Sequence, residues 1–564
     1  MTADGRFTLT EQAATARDLF TPKLVTVLRE GYGRAAFRDD ALAGLTVAIV
    51  ALPLSMAIAI ASGVSPDRGL YTAIVGGFIV SLLGGSRFQI GGPAGAFIVL
   101  VAACVQRNGI DGLLLATLMA GVFMLAIGYL RLGAYIKFIP YPVTVGFTAG
   151  IGVIILASQL RDLFGLTLAG PEPAEFLPKL QALAAAASTV SGQAVIVAVV
   201  TIGVILGVRR WKPSWPALLV AVTIAALAVP LLGLGVETIG TRFGGIPRTL
   251  PAPSLPDLSP AKIQAVLPDA IAFALLGAIE SLLSAVVADG MTGRRHRSNC
   301  ELVAQGFANI GSALFGGIPV TGTIARTATN VRAGAHGPVS GMLHAVFLLA
   351  FMLLVAPLAA HIPLAALAGV LVVVSWNMIE RNSIAALFRS SWGDAIVLGV
   401  TFLLVVFRDL TEGIVVGFSL GALLFIHRMS SAVAVQADRA DSANGDRKPY
   451  DPHEGDETDT LVYRISGAFF FGAASAVGAM LDRVSVEHRS FVLDLSNAPV
   501  LDSTAANVIE GAVQRARRAQ VRFYITGASP AVRRILIANG VRAPLVEYEA
   551  SVADALERAR AERV

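Results

Sequence analysis

Charged residues are scarce in this chain. Asp, Glu, Lys and Arg make up 15% of its 564 residues, whereas a soluble protein of this length carries roughly a quarter. Cysteine is scarcer still, since only Cys104 and Cys300 occur, both in or beside apolar segments. Two isolated cysteines exclude a disulfide framework and a zinc site of the usual spacing. The composition therefore argues against a soluble globular protein and against a disulfide-rich one.

Motifs for energy coupling and catalysis are also missing. No G-x-x-x-x-G-K-[ST] phosphate loop occurs, so we expect no ATP motor in this chain. We find neither metal-ligand spacing nor a nucleophile elbow, so we expect no resident cofactor and no enzymatic activity. Residues 1–40 are polar and lack the apolar stretch of a signal peptide, which predicts a cytoplasmic N-terminal segment without a cleavable signal.

Apolar residues dominate instead. They make up 55% of the chain, and the mean hydropathy is +0.69. Several charge-free runs are long enough to cross a hydrocarbon core of about 30 Å. We therefore predict a polytopic α-helical protein of the lipid bilayer, with residues 41–430 as the transmembrane domain. Fourteen segments are predicted, some of them incomplete: 41–61, 69–84, 94–106, 112–130, 138–160, 192–208, 214–234, 266–289, 300–315, 323–333, 338–357, 362–380, 392–408 and 412–428.

The basic residues between these segments indicate the topology. They concentrate on the side that holds both termini, and the positive-inside rule assigns that side to the cytoplasm. We expect a multi-pass protein of the cytoplasmic (inner) membrane with both termini inside. The net charge of +5 follows from this topology, so we expect no nucleic-acid partner.

The stretch 316–334 lies between apolar segments but is rich in Gly and Thr and carries Arg326. Unpaired backbone at bilayer depth is costly, so such a stretch must face protein or a wet cavity. We predict a broken membrane segment, with a loop to about Gly322 and a short helix that starts near Thr323. The N-terminal amides of that helix would point into the protein, where they could hold an anion.

An earlier stretch repeats this pattern. The sequence from Gly84-Gly85 to 91–97 is similar to the one from Gly316-Gly317 to 321–323. The copies fall on the third and tenth segments, and this odd offset gives them opposite orientations. We therefore predict a seven-plus-seven inverted repeat, in which paired interrupted segments mark a transporter's binding site. The alternative is that these glycines only allow close helix packing.

Two charged side chains within apolar segments are candidate site residues. Glu280 lies in segment 266–289, where an acid marks a proton or cation site by default, and Ser284 follows one turn later on the same face. The alternative for Glu280 is a hydrogen bond that bridges two helices. Arg326 falls in the first turn of the short helix, where its planar guanidinium suits an oxyanion. The alternative for Arg326 is a salt bridge to Glu280.

Other polar residues of these segments receive structural interpretations. Asp289, at the end of its segment, is interpreted as a cap or as an ion-pair partner of nearby arginines. His336, His344 and His361 are isolated in the sequence and are interpreted as structural.

The composition changes after Arg428. Residues 431–459 are polar and turn-prone and are interpreted as a linker. In residues 460–564, strand-like runs (461–465, 491–495 and 521–525) alternate with helical stretches. This alternation predicts a small α/β domain.

These features together resemble the SulP family, the sulfate-permease-like and prestin-related anion transporters. The stretches that carry the resemblance are 51–57, 63–71, 277–284, 299–306 and 324–334. The C-terminal domain resembles a STAS domain (the sulfate-transporter and anti-sigma-antagonist module) through 492–496 and 501–505.

The resemblance implies a core and a gate domain, as in nucleobase permeases, and also a homodimer and elevator-like movement. It implies that the anion binds between the N-termini of the third and tenth helices. Ala94 belongs to the first of these N-termini, and Thr323, Ile324, Ala325 and Arg326 belong to the second. The implied activity is secondary active transport of a small anion.

Glu280, with Ser284, matches the position where family members bind a coupling proton or sodium ion. Leu54 stands where many relatives have a Gln that approaches the substrate. Some bicarbonate transporters of the family share an apolar residue there, but they have Asp in place of Glu280 and lack the arginine of Arg326. The run 324–327 resembles proton-coupled bacterial members that move dicarboxylates or sulfate.

We therefore expect sulfate or a similar inorganic anion as the substrate, with symport of a C4-dicarboxylate or bicarbonate as the alternative. A function of another class would be an anion channel, or a regulator whose STAS domain binds a cytoplasmic protein. In stand-alone STAS regulators the position of Ser503 is phosphorylated. An Asp-Ser pair is also an ordinary helix N-cap, and we favour that capping role.

Overall fold

The structure is a computed structural model that describes residues 19–133, 140–170, 172–173, 175–212, 215–408, 410–431, 433–439, 460–481 and 489–561. The chain divides into two compact units, Met1–Phe418 and Ser419–Val564. The helices of the first unit are α1 (Lys23–Glu30), α2 (Arg34–Ala61), α3 (Pro66–Tyr71), α4 (Gly77–Leu83), α5 (Ile98–Tyr129), α6 (Tyr141–Phe164), α7 (Phe176–Ala185), α8 (Gly192–Trp211), α9 (Ala217–Leu231), α10 (Ile239–Phe243), α11 (Pro260–Thr292), α12 (Ser298–Leu314), α13 (Ile324–Arg332), α14 (Val339–Ala359), α15 (Leu364–Met378), α16 (Arg381–Ser390) and α17 (Trp392–Phe407). Helix α18 (Leu410–Ser431) runs from the first unit into the second.

Eight helical segments of the described chain have the length and apolar composition of membrane spans. They are α2, α5 with its preceding turn, α6, α8, α11, α14, α15 together with α16, and α18. Helices α9 and α17 are apolar but shorter. Each of the fourteen predicted segments overlaps one of these helices or one of α3, α4, α12 and α13. The predicted polytopic helical architecture is confirmed.

One of the predicted segments contains a local irregularity, and a second irregularity lies between two of them. A π-helical turn, Thr72–Gly76, joins α3 to α4 within the second segment. The third and fourth segments are continuous as α5, but the backbone of Gly109 leaves the helical region (φ 67°, ψ −173°). Because only glycine adopts that conformation without strain, Gly109 marks the break between the two segments.

The helices of the first unit pack as two bundles. In the core bundle, α5 packs against α11 and α12, and α14 packs against α2 and α4. In the gate bundle, α6 packs against α15 and α17, and α8 packs against α9 and α15. Helix α2 also touches α9 and α15 of the gate bundle.

Small residues allow these helices to approach closely. A Cβ added to Gly121 of α5 would lie 2.7 Å from the carbonyl oxygen of Gly306 on α12. A Cβ added to Gly146 of α6 would lie 2.5 Å from the carbonyl oxygen of Leu398 on α17. Helices in lipid gain little from hydrophobic association, so close van der Waals contact at small residues holds them together. Gly121 and Gly146 therefore serve helix packing.

The second unit contains a five-stranded sheet in the order β3-β4-β5-β6-β7. Strand β3 runs antiparallel to β4, and the other neighbours are parallel. The elements are β3 (Ala434–Arg439), β4 (Thr460–Ser466), α19 (Phe471–Leu481), β5 (Ser490–Asn497), α20 (Ser503–Arg518), β6 (Arg522–Thr526), α21 (Pro530–Ala538), β7 (Glu547–Glu549) and α22 (Val552–Ala561). Alternate strand residues face opposite sides, so α19, α20 and α21 cover one face of the sheet and α22 covers the other.

One part of the predicted linker is wrong. Residues 434–439, within the predicted linker 431–459, form strand β3 and pair with 461–466. A polar edge strand lacks the apolar alternation that marks a strand, so composition alone could not separate it from a loop. Strand β7 was also not predicted, because it spans only Glu547–Glu549 and is too short to show a pattern.

A buried ion pair fixes two central strands of this sheet. Asp494 of β5 accepts hydrogen bonds from Arg464 Nε of β4 (2.7 Å) and from the Ser496 amide (2.9 Å). Burial alone would raise the pKa of Asp494, but these hydrogen bonds outweigh it and hold the pKa below its usual range. The carboxylate therefore stays ionised and pairs β4 with β5.

Candidate functional site

The two interrupted membrane segments meet in a two-stranded antiparallel pair. Strand β1 (Gly91–Gly92) pairs with β2 (Thr321–Gly322), with Gly91 opposite Gly322 and Gly92 opposite Thr321. Antiparallel pairing is the arrangement expected of two repeat copies with opposite orientations. The pairing also satisfies backbone groups that would otherwise be unpaired inside the core bundle.

Further hydrogen bonds join the first segment to α13. The Thr323 amide donates to the Ile90 carbonyl (3.0 Å), and the Ile90 amide donates to Thr327 Oγ1 (3.1 Å). One helical turn later, Asn330 Nδ2 donates to the Phe88 carbonyl (2.9 Å). Helix α13 is thus a separate nine-residue helix held against the first segment, as the sequence predicted.

Two helix N-termini begin directly after these strands. Ala94 precedes a 3-10 turn (Gly95–Phe97) that leads into α5, and Thr323 precedes α13. Within the described chain, no side chain caps either N-terminus. Ala94 and Thr323 are buried, whereas Ile324 and Ala325 are exposed. Because the first amides of a helix carry a partial positive charge, two positively polarised helix ends lie next to the paired strands.

Arg326 places a full charge beside these ends. Its side chain is only 1% exposed, and Nη2 donates to Ser55 Oγ and to the Pro93 carbonyl, both at 3.2 Å. Nε and Nη1 have no hydrogen-bond partner among the described residues. Across the same part of the chain, no carboxylate forms an ion pair with Arg326, so the alternative of a salt bridge to Glu280 is wrong. A buried, unpaired guanidinium is costly and suits an anionic ligand.

The absence of a side chain at Gly92 makes room for this guanidinium. A Cβ added to Gly92 would lie 2.1 Å from Arg326 Nη1 and 3.3 Å from Cζ. Neither this contact nor the contributions of Ser55 and Pro93 were predicted from the sequence. The available signal was a serine two residues after Pro53 in the first span.

The serines near Glu280 join α11 to the paired strands. Ser281 Oγ lies 2.7 Å from Thr321 Oγ1 and accepts a hydrogen bond from the Gly322 amide (3.1 Å). Ser284 Oγ donates to Thr327 Oγ1 at 3.1 Å. Ser284 is therefore tied to α13, and its assignment as a cation ligand stays a prediction.

Glu280 is different from these serines. Its side chain is partly exposed, and within the described residues its carboxylate has neither a hydrogen-bond nor an ion-pair partner. The alternative of a hydrogen bond that bridges two helices is therefore wrong for the described residues. The carboxylate is free to take up a proton or a cation.

A fully buried acid, Glu301 of α12, was not predicted from the sequence as a candidate residue. Its Oε2 accepts hydrogen bonds from the amides of Gly85 (2.9 Å) and Ser86 (3.1 Å). Its Oε1 accepts hydrogen bonds from Gln89 Nε2 (2.9 Å) and Gln305 Nε2 (3.0 Å). Four donors satisfy this carboxylate, so it ties the loop before β1 to α12 rather than offering a ligand site.

The side chain of Gln89 in turn supports β2. A Cβ added to Gly322 would lie 1.8 Å from Gln89 Nε2. The glycine at this position therefore leaves room for the side chain of Gln89, which joins the carboxylate of Glu301 to the paired strands.

Asp289 has a partner other than the one expected. Its Oδ2 accepts hydrogen bonds from the amide (3.0 Å) and from Nδ1 (2.7 Å) of His296. The arginines that follow α11 form no ion pair with it in the described chain. The interpretation as an ion-pair partner of those arginines is therefore wrong.

The comparisons with known proteins agree with this architecture. Residues 37–401 match the sulfate permease family, and residues 453–555 match the STAS domain. The chain belongs to the sulfate permease family. That family consists of transporters rather than enzymes, and its relatives indicate anion transport.

Two relatives and one solved structure illustrate the match. The chain is 38% identical to the putative sulfate transporter YvdB of Bacillus subtilis over 514 residues, which cover 91% of this chain and 95% of that protein. It is 35% identical to the bicarbonate transporter BicA of Synechocystis sp. over 516 residues, which cover 88% and 90%. Its fold is similar to that of murine Solute Carrier 26 family member A9, an anion transporter solved in the inward-facing state. That match has a TM-score of 0.84 at 17% identity and covers 99% and 97% of the two chains.

These matches confirm the predicted family and fold class, a polytopic helical membrane protein with a C-terminal STAS domain. The substrate-binding residues predicted from the sequence lie together at the two interrupted segments. Ala94, Thr323, Ile324, Ala325 and Arg326 surround the paired strands β1 and β2.

In the STAS domain, the capping role belongs to Asp502 and not to Ser503. Asp502 Oδ1 accepts a hydrogen bond from the Ala505 amide (2.8 Å), and Oδ2 accepts one from the Phe471 amide (3.0 Å). Ser503 is the first residue of α20, and its side chain is exposed. The preferred interpretation of the Asp-Ser pair as a helix N-cap is therefore confirmed, with Asp502 as the capping residue, while phosphorylation of Ser503 stays a prediction.

Replacing Asp502 by alanine should loosen the start of α20. Loss of an N-cap costs about 0.5–2 kcal/mol, which corresponds to roughly 2- to 30-fold faster amide exchange in the first turn. Hydrogen–deuterium exchange on the full chain measures this, with Ser503→Ala as the matched control at the neighbouring position. Equal protection in Asp502→Ala and the parent would contradict the capping role.

Proposed function

We propose that this member of the sulfate permease family moves a small inorganic anion, with sulfate as the favoured substrate, across the cytoplasmic membrane by secondary active transport. The observation that carries the proposal is Arg326, which is buried beside two uncapped helix N-termini and has no carboxylate partner among the residues that the structure describes. The anion accepts hydrogen bonds from the free guanidinium nitrogens and from the helix amides, and it neutralises the charge of Arg326.

Glu280 carries the coupling cation in this proposal. An anion on Arg326 leaves the carboxylate of Glu280 as a remaining negative charge, and a proton or a sodium ion neutralises it. A half-loaded core bundle would have to move with an uncompensated charge, which is unfavourable at low dielectric constant. The fully loaded core bundle then slides past the gate bundle in an elevator-type movement.

Sulfate is favoured because a putative sulfate transporter is 38% identical to this chain. Bicarbonate is the second candidate, because the bicarbonate transporter BicA is 35% identical and Leu54 is apolar, as in some bicarbonate transporters of the family. A C4-dicarboxylate is the third. Uptake of radiolabelled sulfate, bicarbonate and succinate into proteoliposomes, under separate proton and sodium gradients, distinguishes the three. If none of them is taken up, the proposal fails.

Replacing Glu280 by glutamine should separate coupling from binding. The amide resembles a protonated carboxyl group but cannot release a proton or bind sodium. We therefore expect gradient-driven accumulation to fall to less than about a tenth of the parental rate. With proton coupling, exchange of labelled for unlabelled anion without a gradient should continue, whereas with sodium coupling it should stop as well.

The matched control for that experiment is Glu380→Gln, since Glu380 is an exposed residue beside α16. It should accumulate the anion as the parent does. Parental accumulation by Glu280→Gln would remove Glu280 from coupling.

A channel and a STAS-based regulator are the rival functions. A channel needs no coupling cation, so anion current that does not saturate would favour it over a transporter. A regulator would release or bind a cytoplasmic protein when Ser503 is phosphorylated.

The proposed transporter is a homodimer, and a monomeric mass in native mass spectrometry would contradict that part of the proposal.

A further inference from the structure

His344 of α14 is a buried titratable group that the proposed mechanism does not use. Its side chain is fully buried, and neither ring nitrogen has a hydrogen-bond partner among the described residues. Buried polar groups in proteins nearly always have partners, so each exception calls for an explanation. A structural role alone would not explain why both nitrogens of this buried ring lack a partner.

The imidazole lies directly behind the paired strands. A Cβ added to Gly77 would lie 3.9 Å from His344 Cε1 and 2.8 Å from the carbonyl oxygen of Gly91 in β1. The next residue of β1, Gly92, touches the guanidinium of Arg326. His344 thus lies close to the strand that contacts Arg326, so a charge on His344 would act on an anion bound there.

No free carboxylate faces His344 from the elements that pack against it. Helix α14 packs on α2, α4 and the π-helical turn, and neither α4, the turn, β1 nor α14 itself contains Asp, Glu, Lys or Arg. The buried acid of α2, Asp40, accepts hydrogen bonds from Tyr32 Oη (2.7 Å) and from the amides of His336 (2.6 Å) and Gly337 (3.0 Å).

The remaining charged groups of the neighbouring helices lie toward the helix ends. Arg34, Arg38 and Asp39 occupy the first two turns of α2, before Asp40, and Arg332 is exposed at the far end of α13. Arg326 is therefore the charged group whose position matters most to His344.

Charge balance indicates what His344 can do. This step rests on the proposed function, in which Arg326 binds the anion and Glu280 is neutralised by its cation. A monovalent anion then leaves the loaded core neutral, but a divalent anion leaves one excess negative charge. We propose that His344 takes up a proton when a divalent anion binds and thereby determines whether divalent anions are transported.

The proton arrives with the anion and not before it. In the empty core, a protonated His344 would add a second positive charge close to Arg326 at low dielectric constant. Binding of a divalent anion replaces that repulsion with attraction. One proton is thus bound by an imidazole nitrogen for each divalent anion carried, in addition to the cation on Glu280.

The experiment compares the parent with His344→Gln and His344→Asn in proteoliposomes, using sulfate and succinate as divalent probes and bicarbonate as the monovalent probe. His361→Gln is the control, because His361 is exposed in the turn between α14 and α15. In both His344 variants we expect uptake of sulfate or succinate to fall at least about tenfold, while uptake of bicarbonate stays within about twofold of the parent. His361→Gln should behave as the parent.

A second readout covers a parent that moves only divalent anions. In the parent, log KM for the anion should rise with pH, because binding of the anion is linked to uptake of protons. In His344→Gln the slope of log KM against pH should be smaller by about one, because one linked proton is lost. Equal pH slopes, or equal losses for divalent and monovalent anions, overturn the inference. A parent that moves only bicarbonate also overturns it.

Failure of the proposed function gives a different result. If Arg326→Ala transports every probe as the parent does, Arg326 does not bind the anion and the proposed function fails. If Arg326→Ala loses transport while His344→Gln behaves as the parent, only the role of His344 is refuted.

Discussion

Replacing Arg326 by alanine should reduce kcat/KM for the transported anion roughly 10- to 150-fold. This range corresponds to the loss of about 1.5–3 kcal/mol, the usual contribution of hydrogen bonds to a charged group. The free Nε and Nη1 of Arg326 are the donors that would be lost. Initial rates of radiolabelled anion uptake into proteoliposomes measure the effect. Arg326→Lys keeps the charge but not the planar fork, so it should lie between the parent and Arg326→Ala.

The matched control is Arg332→Ala at the other end of the same helix. Arg332 is exposed, so its removal should change kcat/KM by no more than about twofold. Unchanged kinetics in Arg326→Ala would defeat the assignment of the anion to this site. A loss of similar size in Arg332→Ala would instead indicate a general effect of charge on α13.

Replacing Gly92 by alanine should impair transport almost as strongly, although it adds only a methyl group. The new Cβ would lie 2.1 Å from Arg326 Nη1, far inside van der Waals contact, so the guanidinium must move. Movement breaks its hydrogen bonds to Ser55 and Pro93 and displaces the charge from the two helix N-termini. We expect a loss of at least about tenfold in kcat/KM, consistent with the loss of a charged hydrogen bond.

A double-mutant cycle tests whether the effect passes through Arg326. If it does, Gly92→Ala should add little to Arg326→Ala, because the group with which it clashes is already gone. Gly290→Ala on α11 is the control, since a Cβ there meets nothing within 4 Å. Additive losses, or parental transport by Gly92→Ala, would contradict the proposed position of the guanidinium.

Much of the membrane architecture could be predicted from local signals. Apolar runs of sufficient length indicate helices because lipid excludes unpaired backbone, and this argument found the segments that became α2, α6, α11 and α14. The broken segment around Arg326 was found for the converse reason, since Gly and Thr in that setting disfavour a lipid-facing helix. Strands β4, β5 and β6 were found through their short apolar runs.

Partners distant in sequence could not be predicted in this way. Ser55 binds Arg326 across 271 residues, and Glu301 binds the amide of Gly85 across 216. Neither residue has a local pattern that names its partner. The alternative of a salt bridge between Arg326 and Glu280 failed for the same reason, because two charges in apolar segments suggest a pair without fixing their distance.

The sequence by itself determined that the chain lies in a membrane, that two of its segments are interrupted, and that Arg326 and Glu280 are the unusual charges within apolar segments. These properties follow from local composition, because the cost of placing backbone or charge in lipid is paid residue by residue. Only the tertiary structure decided that β1 pairs with β2, that Gly92 makes room for the guanidinium, and that Arg326 and His344 are buried without a carboxylate partner in the described part of the chain. Those features depend on which distant segments come into contact, and packing of the whole core bundle sets those contacts.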